Sequence, residues 1–162
     1  MYAYAHDKAL GAMVGMAVRP FNEERDNAGI LESIEKHQAT AMNLKGDGIV
    51  ILVVDRDYPN PSAKWRKRFA EMRDNQRFAR MLFAVATPAP QLHGVLTAIN
   101  WMRPLSDKFE ADSFLTFDAA VRWVEAKRGN RLPVIHRLYD EVQEKLGYPS
   151  SGGVRSRPPS SA

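Results

Sequence analysis

Residues 48–55, GIVILVVD, form a continuous apolar run rich in β-branched side chains that stops on an aspartate. A strand apolar on both faces belongs in the middle of a covered sheet, because a strand with one wet face would alternate. Arg80–Thr87 (RMLFAVAT) repeats that character. Two shorter runs, Met1–Ala5 and Ala12–Val18 (AMVGMAV), are joined through His6–Gly11 and predict an antiparallel hairpin. Lys108–Leu115 holds a last short strand.

Between these runs the apolar spacing changes to three and four residues. Ile30, Leu31, Ile34, Gln38 and Ala41 share one face of a helix that Asn22 caps and that runs to about Asn43. Glu23, Glu24 and Asp26 lie in its first turn, where the helix dipole favours them. Asn60 or Pro61 opens a second helix with Trp65, Phe69 and Met72 on one stripe. Gln91 leads into a very apolar helix carrying Leu92, Val95, Leu96, Ile99 and Trp101, which Pro104 stops. Thr116 caps the next, with Phe117, Ala120, Val121 and Val124 facing inward. Leu132, Ile135, Leu138, Tyr139, Val142 and Leu146 then line one face of a final helix that Gly147 ends. The order β-β-α-β-α-β-α-β-α plus a C-terminal helix predicts an α/β fold with a mixed, mainly parallel sheet.

At 162 residues, 44% hydrophobic and 26% charged, the chain has the size and composition of a one-domain soluble protein. No apolar run approaches the roughly 20 residues that span a bilayer, and the N-terminus lacks the basic start of a signal peptide, so the expected location is the cytoplasm. Residues from 148 onward are rich in Pro, Gly and Ser and are expected to form a disordered basic tail. The absence of Cys excludes disulfides, thiolate metal sites and cysteine nucleophiles.

The net charge of +4 is local. Counting Lys and Arg against Asp and Glu, residues 48–80 carry eight against four, and the excess lies on Lys64, Arg66, Lys67, Arg68, Arg73, Arg77 and Arg80. Arg155 and Arg157 add to it in the tail. With Trp65 and Phe69 assigned to the core, this helix offers no aromatic platform for bases, which favours a solvated face first and an acidic protein partner second, with nucleic acid or an anionic lipid surface as the remaining alternative.

The end of the central strand is where open α/β sheets place their sites. Asp55 and Asp57 could hold Mg²⁺ or act as acid and base, but no third acidic ligand follows at a recognisable spacing, and turn or cap roles account for them. The four histidines, His6, His37, His93 and His136, are scattered without metal-binding spacing. No phosphate-binding glycine loop or serine-hydrolase elbow occurs. Neither metal nor cofactor is expected. An enzyme would need Asp55, Asp57 and His93 to converge on one pocket. A pocket beneath the apolar helix after Gln91 would instead suit a small ligand or lipid.

The segments VDRDYPNPSAKWRKRF, ARMLFAVATPAPQLHGVLTAINWMRPL and FLTFDAAVRWVEAK together resemble the STAS-like (SpoIIAA-like, STAS/SEC14) single-domain bacterial proteins. Thr116, Phe117, Asp118, Ala120, Val121 and Trp123 match the last of these elements, and the resemblance spans roughly residues 1 to 128. It implies a STAS-like α/β domain over residues 1–130, acting as a regulatory or protein-interaction module without an enzymatic centre in bacterial signalling or assembly. It also implies a switch: in one branch of that family a serine opening the helix after the third strand is phosphorylated by a partner kinase, and Ser62 stands in that place. The sequence here reads Asn60, Pro61, Ser62, Ala63, Lys64, which departs from the family's Asp-Ser-Ser/Thr-Gly/Ala loop.

The expected interaction surface comprises Asp55, Arg56, Asp57, Lys64, Arg66, Lys67, Arg68, Arg73 and His93. Residues 131–147 form an appendage to a domain already closed near Arg128, so its apolar stripe must cover the body, a second copy of the chain or another protein. Deleting residues 131–162 is accordingly expected to leave a folded domain with altered assembly.

Overall fold

The computed structural model describes residues 1–94 and 108–148. Its strands are β1 (Tyr2–Asp7), β2 (Ala12–Ala17), β3 (Asp47–Val54), β4 (Arg80–Ala86) and β5 (Phe109–Phe114). Its helices are α1 (Glu23–Thr40), α2 (Ala63–Asp74), α3 (Phe117–Arg128) and α4 (Pro133–Lys145), with residues 90–94 also helical. The predicted α/β class with a mixed, mainly parallel sheet is what forms. Val95, Leu96, Ile99, Trp101 and Pro104, and the tail with Arg155 and Arg157, lie outside the described residues. Among those described, no helix is long and apolar enough to cross a membrane.

The strands lie side by side in chain order, with β1 antiparallel to β2 and all other neighbours parallel. Successive right-handed crossovers that step in one direction put their helices on one face. Accordingly α1, α2, Ala89 and Leu92 pack together on that face, and α3 and α4 cover the other. The alternation of β3 divides the core. Val50, Leu52 and Val54 enter the first layer, whereas Ile49 and Ile51 enter the second.

Local signals act where the sequence placed them. Asn22 accepts the Arg25 N–H at 2.9 Å and Thr116 accepts the Ala119 N–H at 3.2 Å, each satisfying an orphan donor of a first helical turn. α2 starts two residues later than Pro61, at Ala63. α1 stops at Thr40, short of Asn43.

The appended helix is not an appendage. Leu132, Ile135, Leu138 and Val142 are buried, with Tyr139 and Leu146 packed against them, and α4 lies across β1 and β2 of its own sheet. The expectation of a spare partner or dimer stripe is therefore corrected. Among the described residues, α3 sits over β3, β4 and β5, and α4 is the helix that covers Ala5, Ala12 and Val14. Burying these four aliphatic side chains stabilises by about 2 kcal/mol each, a sum comparable with the whole stability of a domain. Removing residues 131–162 is thus expected to abolish cooperative thermal unfolding and to produce dye-binding apolar surface. A truncated chain that melts cooperatively near the intact midpoint would show that the face closes without α4.

Gly48 marks a second constraint. The buried Phe78 ring sits against it so closely that a Cβ at position 48 would lie 2.3 Å from the ring, and His37 packs on Phe78 at a 5.4 Å centroid separation. With His37 beside it, the ring has little room to withdraw. Gly48→Ala should cost about 1–3 kcal/mol, read as a lower urea midpoint at unchanged slope.

Candidate functional site

At the carboxyl end of β3, the Asp55 N–H donates to Ala17 O (3.1 Å), its carboxylate accepts the Arg56 N–H (2.9 Å) and its carbonyl accepts the Tyr58 N–H (3.1 Å). These bonds turn the chain back toward the α1 layer, where Tyr58 is buried and donates to Asn27 Oδ1 at 2.8 Å. Asp57 forms an ion pair with Arg19, just beyond β2. His93 lies on this same side of the sheet, where Ser113 continues the face of Phe109 and Ala111 on β5. Its Nε2–H donates to Thr87 O (2.9 Å), which can only accept, so Nδ1 is left to accept from Ser113 Oγ–H (2.6 Å). The imidazole thereby ties the end of β4 to β5.

Asp55, Asp57 and His93 are thus engaged with different neighbours, in a turn, with Arg19 and with Ser113, rather than directed at a common reacting atom. Strand order supplies the reason. Ligand crevices in open α/β sheets form where the order reverses and adjacent crossovers leave on opposite faces. From β2 to β5 the order never reverses. Among the described residues no group of three His, Asp or Glu could hold a metal.

The basic helix presents only part of its charge to solvent. Trp65 is 1% exposed and donates through Nε1 to Glu24 Oε1 (3.2 Å), while Lys64 Nζ reaches Glu24 Oε2 (2.7 Å). That ammonium holds the Glu24 carboxyl below its ordinary range. Arg66 Nη1 donates to Pro61 O at 2.8 Å. Arg56, Lys67 and Arg68 are exposed, and Arg68 lies over the Trp65 ring at 5.0 Å. Ser62 is the N-cap of α2 but its hydroxyl makes no capping bond, and its N–H donates to Glu23 Oε1 (2.8 Å). The Glu23 carboxylate held against Ser62 would repel the charge of a phosphate there.

Arg73 does not belong to the outer face. It follows Phe69 by four residues, on the stripe of Trp65 and Met72, and its side chain is only 10% exposed. It lines an apolar cavity of about 110 Å³ between α1, α2 and the sheet, together with Asn27, Tyr58, Leu52, Phe83 and Phe109. The sequence placed a pocket beneath the helix after Gln91, whose Leu92 lines this cavity, but did not place Arg73 and Asn27 in its wall. The legible signal was a polar residue in register with an apolar helical stripe, Arg73 after Phe69 and Asn27 before Ile30 and Leu31.

His37, on α1, is fully buried beside His6 of β1, with ring centroids 5.8 Å apart. Burial, reinforced by the His6 charge and only weakly opposed by the Gly11 carbonyl, lowers its pKa to about 4 from 6.5. Between these values the unfolded chain binds a proton at this imidazole that the folded chain does not. Acidification across that window should therefore remove stability, on the order of 3 kcal/mol once complete. Asp26 and Asp47 have depressed pKa values and lose their contributions only at lower pH. Urea midpoints measured from pH 7 to 4.5 should fall for the native chain and flatten for His37→Leu; identical slopes would remove His37 as the cause.

Comparisons with protein-family models, with curated proteins and with solved structures gave no match. The resemblance to STAS-like proteins accordingly rests on the quoted segments alone.

Proposed function

We propose that this chain is a non-enzymatic regulatory or protein-interaction module that docks an acidic protein surface through the outer face of α2 and the adjoining 55–57 turn. One observation carries this reading. The side chains at the carboxyl edge that could do chemistry are engaged in holding the fold together, whereas Arg56 in the turn and Lys67 and Arg68 on α2 stand exposed. The STAS-like segments favour the same class of activity. The burial of Trp65 favours protein over nucleic acid, since single strands are gripped largely by stacking on exposed aromatic rings. Ser62 serves in this reading as a neighbour of the contact surface rather than as its switch.

Exposed charges at the rim of an interface act mainly on association rate and salt dependence. The double reversal Lys67→Glu with Arg68→Glu leaves Arg66 and the α1–α2 contacts through Glu23 and Glu24 intact. It should keep the thermal midpoint within a few degrees while reducing recovery of a specific partner from the native cell by about tenfold. Equal recovery of the same proteins by both chains would overturn the surface. Salt-sensitive retention of DNA or RNA by the native chain would move the reading to nucleic acid.

A further inference from the structure

β1 is an outer strand of the sheet, so one of its two rows of backbone groups faces no other strand. Met1 N donates to Val18 O, Val18 N–H donates to Met1 O, and Asp7 O accepts the Gly11 N–H. In an antiparallel pair the direction alternates, so the odd residues of β1 face β2 and the even ones face outward. The outward groups belong to Tyr2, Tyr4 and His6. Among the described residues only Tyr4 O is engaged, by Lys145 Nζ at 2.8 Å. Strand edges are ordinarily blunted by proline, charge or a bulge. β1 reads YAYAHD, with no proline and no carboxylate, Lys or Arg before Asp7, and it pairs with β2 over all six residues without a bulge. The one guard, Lys145, is removable, because the same ammonium lies 2.8 Å from Glu141.

We propose that β1 pairs antiparallel with β1 of a second copy of this chain, across a two-fold axis at Tyr4, which joins the two five-stranded sheets into one. Tyr4 then faces its own counterpart, and Tyr2 faces His6. The helices on both faces fit this arrangement. α4 lies across β1 and β2 alike, so with strands about 4.8 Å apart its axis stands about 5 Å from the two-fold, and the two copies of α4 come about 10 Å apart, the spacing of packed helices. On the other face, Tyr2 bonds to Ser33 at 2.7 Å and His6 packs on His37, which sets the α1 turn between those residues beside Tyr4. Glu32 and Lys36 border the groove along β1, both are exposed, and neither has an ion-pair partner among the described residues. The axis reverses α1 against its copy, so Glu32 of each chain comes opposite Lys36 of the other. A contact between identical patches needs such self-complementary charge, which a groove of one sign would not supply.

This contact uses no residue of α2, so its test is separate from that of the docking surface. The full-length chain is followed by sedimentation velocity from about 5 to 500 µM, with amide hydrogen exchange read by NMR over the same range. The mass should rise from one chain toward two. The amides of Tyr4 and His6 should gain protection with concentration, while those of Ala3 and Ala5, which face β2, stay protected throughout. Glu32→Lys and Lys36→Glu change exposed side chains, and each should weaken association about tenfold, whereas the double exchange should restore it. Lys36→Glu lowers the net positive charge, so weakening by both single changes separates paired charges from general repulsion. A monomer at every concentration would overturn the proposal. So would a dimer in which the Tyr4 and His6 amides stay unprotected, or a double exchange no tighter than the single ones. Protection of these amides that does not change with concentration would show that the chain covers its own edge, and would overturn it as well.

Discussion

Everything in this molecule depends on β3 being buried on both faces. Its alternate side chains root two separate cores, one under α1 and α2 and one under α3 and α4, so the helical layers meet only through the sheet. A polar side chain within this strand would leave one core or the other with an unsatisfied group. The same constraint reaches the strand's beginning, where Gly48 is backbone alone because Phe78 and His37 occupy the space a side chain would take.

Strand order follows from the way the chain surrounds that centre. Each crossover moves one position along the sheet in the same direction, which is economical for packing and gives the carboxyl edge no point where the strand order reverses. The polar groups there are drawn into tying strands together, Asp55 within a turn and His93 between β4 and β5. The outer side of α2 offers exposed cations, and its inner side lines an apolar cavity.

The strands and helices were legible because periodicity reports burial, and burial is what forms them. β3 and β4 read as central strands, Asn22 and Thr116 as caps, and Trp65 as core, since each depends on near neighbours. What was not legible depended on distance along the chain. The stripe of α4 was plain in sequence, yet nothing in residues 131–147 says which surface will cover it; that was decided by the part of the sheet α3 leaves open, more than a hundred residues from β1. Arg73 was counted with the exposed cations because charge was weighed by composition and not by helical register. Motif reading likewise places Asp55, Asp57 and His93 near an edge but says nothing about the partners, Arg19 and Ser113, that claim two of them.

The two sides of the sheet are also completed at different times. α1 and α2 are encoded between the strands they cover, so that layer can close as the chain leaves the ribosome. The opposite side, with Ile49, Ile51, Leu82 and Ala84, waits for residues 117–145. During synthesis an apolar face of a nearly finished sheet stands open to water and to other nascent chains. α4, which covers β1 and β2, therefore also closes the last open part of this described face.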